Sequence, residues 1–172
     1  VQLGAGSDIN VTGTGSVTLR GTSGIGTSNN YGVELVSGSD ILASGGDVNI
    51  FGTSRGKTSG NKGVSIATSV IETEGAGKIL IEGTGGAAAT SSANFGIDLN
   101  GATARATGAG TITLTGQAGT GTTTNRGVKL ANSSVLSTAS GDITVAGTGR
   151  GTGAQNGGIS VETNSRITSG GA

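Results

Sequence analysis

The sequence contains no cysteine, histidine, proline, methionine or tryptophan, and its 172 residues include one tyrosine and two phenylalanines. Without cysteine there is no disulfide framework and no thiolate nucleophile. Without histidine there is no imidazole base and no Ser-His machinery, and without either residue the usual zinc and haem ligand sets cannot be assembled. Ten Lys and Arg balance ten Asp and Glu. Their scattered signs argue against a nucleic-acid or membrane-surface binder. No apolar run approaches the roughly 20 residues that cross a bilayer, and no leader of the secretory type opens the chain. The expectation is a processed chain or a window of a longer one.

What is abundant is small and polar. Gly, Ser and Thr number 37, 20 and 26, a composition that fits a flexible linker. Val, Ile, Leu and Phe together number 36, close to the level where disorder becomes the default. Composition does not separate linker from fold, but residue order does.

Three motifs recur. The first, A, is Gly15-Ser16-Val17-Thr18-Leu19-Arg20-Gly21. It returns from Gly46 to Gly52, Gly77 to Gly83, Gly110 to Gly116 and Gly141 to Gly147, at steps of 31, 31, 33 and 31 residues. The second, B, reads Asn-x-Gly-apolar-x-apolar. It begins at Asn30, Asn61, Asn94, Asn125 and Asn156, and an abbreviated sixth copy is Val1-Gln2-Leu3. The third, C, follows each B copy: Ser7-Asp8-Ile9, Ser39-Asp40-Ile41, Val70-Ile71, Thr103-Ala104, Ser134-Val135-Leu136 and Ser165-Arg166-Ile167. Glu72 and Arg105 fall where Ile41, Leu136 and Ile167 stand in other copies, which predicts a register shift or bulge.

All three motifs alternate apolar and polar residues and are rich in Val, Ile and Thr, the pattern of half-buried strands. No window has helical spacing. One B-C-A unit cannot bury its own apolar face, whereas stacked units can. The expected fold is all-β: a right-handed parallel β-helix, or β-solenoid, of about five coils of about 31 residues, with three short strands per coil. It forms one domain over residues 1–172, anchored at Val1, Val33, Val64, Ile97, Val128 and Ile159. At about 4.8 Å per coil the rod is about 25 Å long.

The core should take the two alternate apolar residues of each A copy, from Val17 and Leu19 to Ile143 and Val145. From B it should take Val33 and Leu35 through Ile159 and Val161. Asp98 with Lys129, and Asp47 with Lys78, occupy equivalent outward positions in adjacent coils, where opposite charges stabilise by about 0.2–1 kcal/mol. Asn30, Asn61, Asn94, Asn125 and Asn156 are expected to stack as an internal ladder, each amide bonding the next. Asparagine also tolerates a left-handed corner conformation. Gly32, Gly63, Gly96, Gly127 and Gly158 precede the B strands as corner glycines, where positive φ or a tight corner is expected.

The run Asn-x-Gly-Val-x-Leu, then Ser-x-Ile, then Gly-Asp-Ile-Thr-Val-x-Gly-Thr-Gly resembles the β-helical repeats of large bacterial secreted and surface proteins. These are the filamentous-haemagglutinin-like adhesins and giant repeat proteins. The likeness covers essentially the whole chain. It implies an extracellular or cell-surface shaft, with adhesion residing in other modules.

Other sites are weakly signalled. Gly45-Gly46-Asp47 is an isolated fragment of a calcium-binding nonapeptide. Glu72, Glu74 and Glu82 are the densest acidic group, but no second carboxylate recurs beside them for glycosidic chemistry. Thr111-Ile112-Thr113 resembles a unit of a flat threonine array, which Asp47, Asn49, Lys78 and Leu80 interrupt in other copies. Asn10-Val11-Thr12 and Asn132-Ser133-Ser134 fit the glycosylation sequon. Arg55, Lys57 and Arg150 make the A-to-B loops weakly basic.

The expected function is therefore a non-catalytic structural shaft segment of a large bacterial adhesin or surface protein. No cofactor or metal is expected, nor any nucleic-acid partner or membrane insertion. Its partners are neighbouring coils of the same or another chain, and cell-surface glycans or other cells. One alternative is a filament subunit polymerising by coil stacking, although a copy beginning at Val1 placed after Ala172 would omit one A strand. The other is a carbohydrate-binding or carbohydrate-cleaving β-helix.

Overall fold

The computed structural model describes residues 1–87, 92–132 and 135–170. Ser134 of the fifth C motif, Ser133 and Ser134 of the second sequon, and Ala172 lie outside the described residues. The first coil holds β1 (Gln2–Leu3), β2 (Ile9–Val11) and β3 (Val17–Thr22). The second holds β4 (Val33–Leu35), β5 (Ile41–Ala43) and β6 (Val48–Thr53). The third holds β7 (Val64–Ala67), β8 (Val70–Thr73) and β9 (Ile79–Thr84). Then follow β10 (Ile97–Asn100), β11 (Thr103–Ala106) and β12 (Ile112–Gln117) in the fourth coil. The fifth has β13 (Val128–Ala131), β14 (Val135–Thr138) and β15 (Ile143–Thr148), and β16 (Ile159–Val161) and β17 (Arg166–Thr168) lie in a sixth.

Every strand pairs in parallel with its counterpart one coil away. The first sheet runs β1-β4-β7-β10-β13-β16, the second β2-β5-β8-β11-β14-β17 and the third β3-β6-β9-β12-β15. The chain is a parallel β-solenoid with the expected repeat. Its A strands are longer than the motif: the second glycine of A is not a boundary but the fifth of six strand residues, and pairing runs on to Thr22, Thr53, Thr84, Gln117 and Thr148.

The alternation of apolar residues fills a thin core. Val33, Leu35, Val48, Ile50, Val64, Ile66, Ile79, Ile81, Ile97, Leu99, Ile112, Leu114, Val128 and Leu130 are all buried. The second sheet contributes Ile41, Ala43, Ile71, Ala104, Ala106 and Leu136. Burial fades at the ends. Leu19, Ile143 and Val145 are only partly buried. Ile159 and Val161 were expected in the core but are 45% and 46% exposed, because no coil lies over β16.

The irregularity in motif C is a shortened corner. Ile41 pairs with Ile71, and Ala104 with both Ile71 and Leu136, so the core column is continuous. Glu72 and Arg105 consequently pair with each other as outward neighbours, 2.5 Å apart at their charged atoms. One residue is removed from the corner after β7 and β10, which leaves the strands themselves in phase.

Each of these B-to-C corners carries a left-handed residue: Gly6, Gly38, Thr68, Gly101, Asn132 and Asn164. Threonine is the misfit. Its branched Cβ disfavours the left-handed region by roughly 1–2 kcal/mol, yet Thr68 sits there at φ 50. It is held by Thr68 N–H donating to Asn100 O (2.9 Å) and Gly38 N–H donating to Thr68 O (2.9 Å). Thr68→Gly is expected to stabilise the protein by about 1 kcal/mol, the relieved strain exceeding the added chain entropy. Urea denaturation followed by circular dichroism reads this as a raised midpoint, and an unchanged or lowered midpoint refutes the strain.

Candidate functional site: asparagine ladder, glycine seam and outer groove

The ladder joins the coils along one corner. The main-chain N–H groups of Asn30, Asn61, Asn94 and Asn125 donate to Oδ1 of Asn61, Asn94, Asn125 and Asn156, at 3.0, 3.0, 3.1 and 2.9 Å. Amide-to-amide rungs, the bonds expected from sequence, are added between Asn30 and Asn61 (3.0 Å) and between Asn125 and Asn156 (3.1 Å). The remaining donors turn back to the loops. Asn61 Nδ2 donates to Thr58 O (2.7 Å) and Thr27 O (3.3 Å), and Asn156 Nδ2 donates to Gly153 O and Thr122 O, both at 2.8 Å. One amide thus satisfies two coils and its own loop. Asn61, Asn94 and Asn125 are fully buried, where an unpaired amide would be costly.

The left-handed residue of this corner is not the asparagine, as expected, but the residue before it: Asn29, Gly60, Ala93, Thr124 and Gln155, at φ between 55 and 73. That turn aims the following N–H along the rod at the next amide. The asparagine itself is selected for its acceptor and donor, not for its backbone tolerance.

Gly32, Gly63, Gly96, Gly127 and Gly158 are likewise not in the positive-φ region. Their reason is proximity. A Cβ on Gly63 would stand 2.6 Å from Gly96 O and 2.7 Å from Gly83 C, and closer still to Thr84 N. Facing them, Gly21, Gly52, Gly83, Gly116 and Gly147 of the third sheet meet the carbonyls of Gly32, Gly63, Gly96, Gly127 and Gly158. Two glycine columns therefore form a seam where the main chains of the first and third sheets touch. Loop glycines that the repeat left unassigned also have a place: Gly26, Gly56 and Gly151 lie against the side chains of Asn30, Asn61 and Asn156, where a Cβ would collide. Their variable spacing from the asparagine hid this role.

The outer face of the first sheet carries a charged cluster. Asp98 was expected to face solvent but is 3% exposed. It lies 2.6 Å from Lys62 Nζ and 3.6 Å from Lys129 Nζ, and its Oδ1 accepts no hydrogen bond. Both ammonium groups also lie over aromatic rings, Lys62 Nζ 5.3 Å from the Tyr31 ring centre and Lys129 Nζ 5.2 Å from that of Phe95. Arg126 pairs with Glu162 beside it. The other expected pair takes a different form: Asp47 Oδ1 accepts the main-chain N–H of Lys78 at 2.8 Å.

A groove of about 450 Å³ crosses the outer face of the third sheet, walled by Arg20, Phe51 and Glu82 and by Thr53, Thr84 and Gln117. The three acids singled out from sequence are divided. Glu82 stands in this groove, whereas Glu72 and Glu74 line a smaller one of about 230 Å³ with Asn10 and Thr12. Gly46 packs against Gly15 O, so Gly45-Gly46-Asp47 serves coil stacking. Arg55, Lys57 and Arg150 are exposed on loops. Among the described residues no three Asp, Glu, His or Cys side chains gather as a metal site, and no helix is long and apolar enough to cross a membrane.

The geometry defines a parallel β-solenoid held by an asparagine ladder and a glycine seam. Comparison with known proteins finds no matching family model, no curated relative and no similar solved structure.

Proposed function

We propose that this chain is a non-catalytic structural shaft segment of a large bacterial secreted or cell-surface protein. The observation that carries this reading is the unbroken register of three parallel sheets along the rod, with an amide ladder and glycine seam recurring from the second coil to the sixth. These groups are spent on joining coil to coil. At the sixth coil the core positions Ile159, Val161 and Ile167 (40% exposed) present an apolar end face of the kind on which solenoid coils stack.

Electron microscopy and small-angle scattering of the purified chain test the proposal. Short rods of about 25 Å are expected, growing by about 4.8 Å for each repeat added by gene duplication. Long regular fibres at micromolar concentration would overturn it in favour of a polymerising filament subunit.

A further inference from the structure

The groove on the third sheet has a composition that coil stacking does not require. Arg20, Phe51, Glu82, Thr115 and Ala146 form one outward column, one residue per coil and in register. Side-chain height falls along it from the Arg20–Phe51 end to Ala146, which opens the groove. The Arg20 guanidinium stacks on the Phe51 ring, 3.8 Å from its centre. The next residue of the column, on β9, is Glu82. Glu82 is exposed and makes no hydrogen bond or ion pair among the described residues. Alongside runs a second outward column, Thr53, Thr84, Gln117 and Thr148, and the floor between the columns is the main chain of Gly83 and Gly116.

We propose that this groove binds a neutral oligosaccharide lying along the rod axis. The half-buried Phe51 ring in the groove wall offers an apolar platform for the C–H face of a pyranose ring. Glu82 can accept from two sugar hydroxyls, and charge-assisted bonds of this kind are the stronger ones. The Thr and Gln column supplies hydroxyl and amide groups once per coil, suited to a ligand that repeats along the rod. From Arg20 to Ala146 the column spans four coil steps, about 19 Å, the scale of an oligomer and not of a single sugar. Competing ligand chemistries fit poorly. The one cation is stacked on an aromatic ring beside an acid, so there is no net charge to draw a polyanion. An extended peptide would need an unpaired strand edge, and β6, β9 and β12 are paired on both sides. The site is independent of the shaft role.

Isothermal titration and ligand-observed NMR with cellohexaose, laminarihexaose, mannohexaose and chitohexaose test the proposal, with polygalacturonate as the anionic comparison. Saturable binding to at least one neutral hexaose is expected. Phe51→Ala and Glu82→Gln should each weaken it about tenfold or more, while Phe51→Tyr retains it. Both positions project outward, and an unchanged melting temperature checks that the fold is intact. No saturable binding of any neutral hexaose at millimolar concentration overturns the proposal. So does binding unaffected by Phe51→Ala and Glu82→Gln, or binding of polygalacturonate alone.

Discussion

Gly63→Ala is expected to destabilise the protein by about 3 kcal/mol, the upper part of the range for overpacking a close-packed site. The added methyl would face three main-chain groups, Thr84 N, Gly96 O and Gly83 C, all within 2.7 Å. Main chain cannot swing aside as a flexible side chain can, because each of these groups belongs to a paired strand or its corner. Relief must come from separating the first and third sheets, which also disturbs the contacts of the coils on either side. For a chain of this size the melting temperature should fall by roughly 6–12 °C. Two comparisons isolate the cause. Gly24→Ala has nothing within 4 Å of its new methyl and should change stability by no more than about 0.5 kcal/mol. Gly158→Ala, in the open sixth coil, meets only Gly147 and should cost less than Gly63→Ala. Equal losses at all three positions would mean that glycine acts through the unfolded chain and not through the seam.

Asn61→Ala should cost a similar amount, about 3 kcal/mol, for a different reason. The amide accepts from Asn30 N and Asn30 Nδ2 and donates to Thr58 O and Thr27 O. Alanine removes all four bonds of a fully buried amide at once, each worth roughly 0.5–1.5 kcal/mol net, with part of the loss recovered where the partners on Thr27, Thr58 and Asn30 reach solvent. Asn30→Ala is the control. Its amide donates to Asn61 Oδ1 and Ser28 O at the half-exposed start of the ladder, and its loss should cost about 1 kcal/mol or less. Urea denaturation of the two variants measures the difference. If Asn30→Ala and Asn61→Ala are equally destabilising, the ladder does not act through buried hydrogen bonds, and an unchanged Asn61→Ala midpoint removes it altogether.

Much of the fold was legible because a solenoid imposes the same demand on every coil. Residues one repeat apart must present the same face, so Val33, Val64, Ile97 and Val128 announce one column by repetition alone. The asparagine spacing was legible for the same reason, even across the two-residue longer step from Asn61 to Asn94. What escaped is what repetition does not encode. Counting from motif B set Glu72 beside Ile41, because a count cannot tell a shortened corner from a bulged strand. The burial of Asp98 escaped because it depends on how far Lys62 and Lys129 reach across from the neighbouring coils. The groove escaped because its walls are single residues, Arg20, Phe51 and Glu82, each different in kind and therefore invisible to a search for repeats.

The sequence by itself determined the period, the three strands per coil, the identity of the core columns and the place of the ladder, because these follow from alternation and recurrence along the chain. Tertiary structure alone decided why the glycines are glycine and which residue turns left-handed. Both depend on how closely one coil, or one sheet, approaches another through space. At Gly63 the answer is a neighbouring main chain 2.6 Å from where a methyl would be. At the ladder it is the residue before asparagine that turns, so that the next N–H can reach across to the following coil.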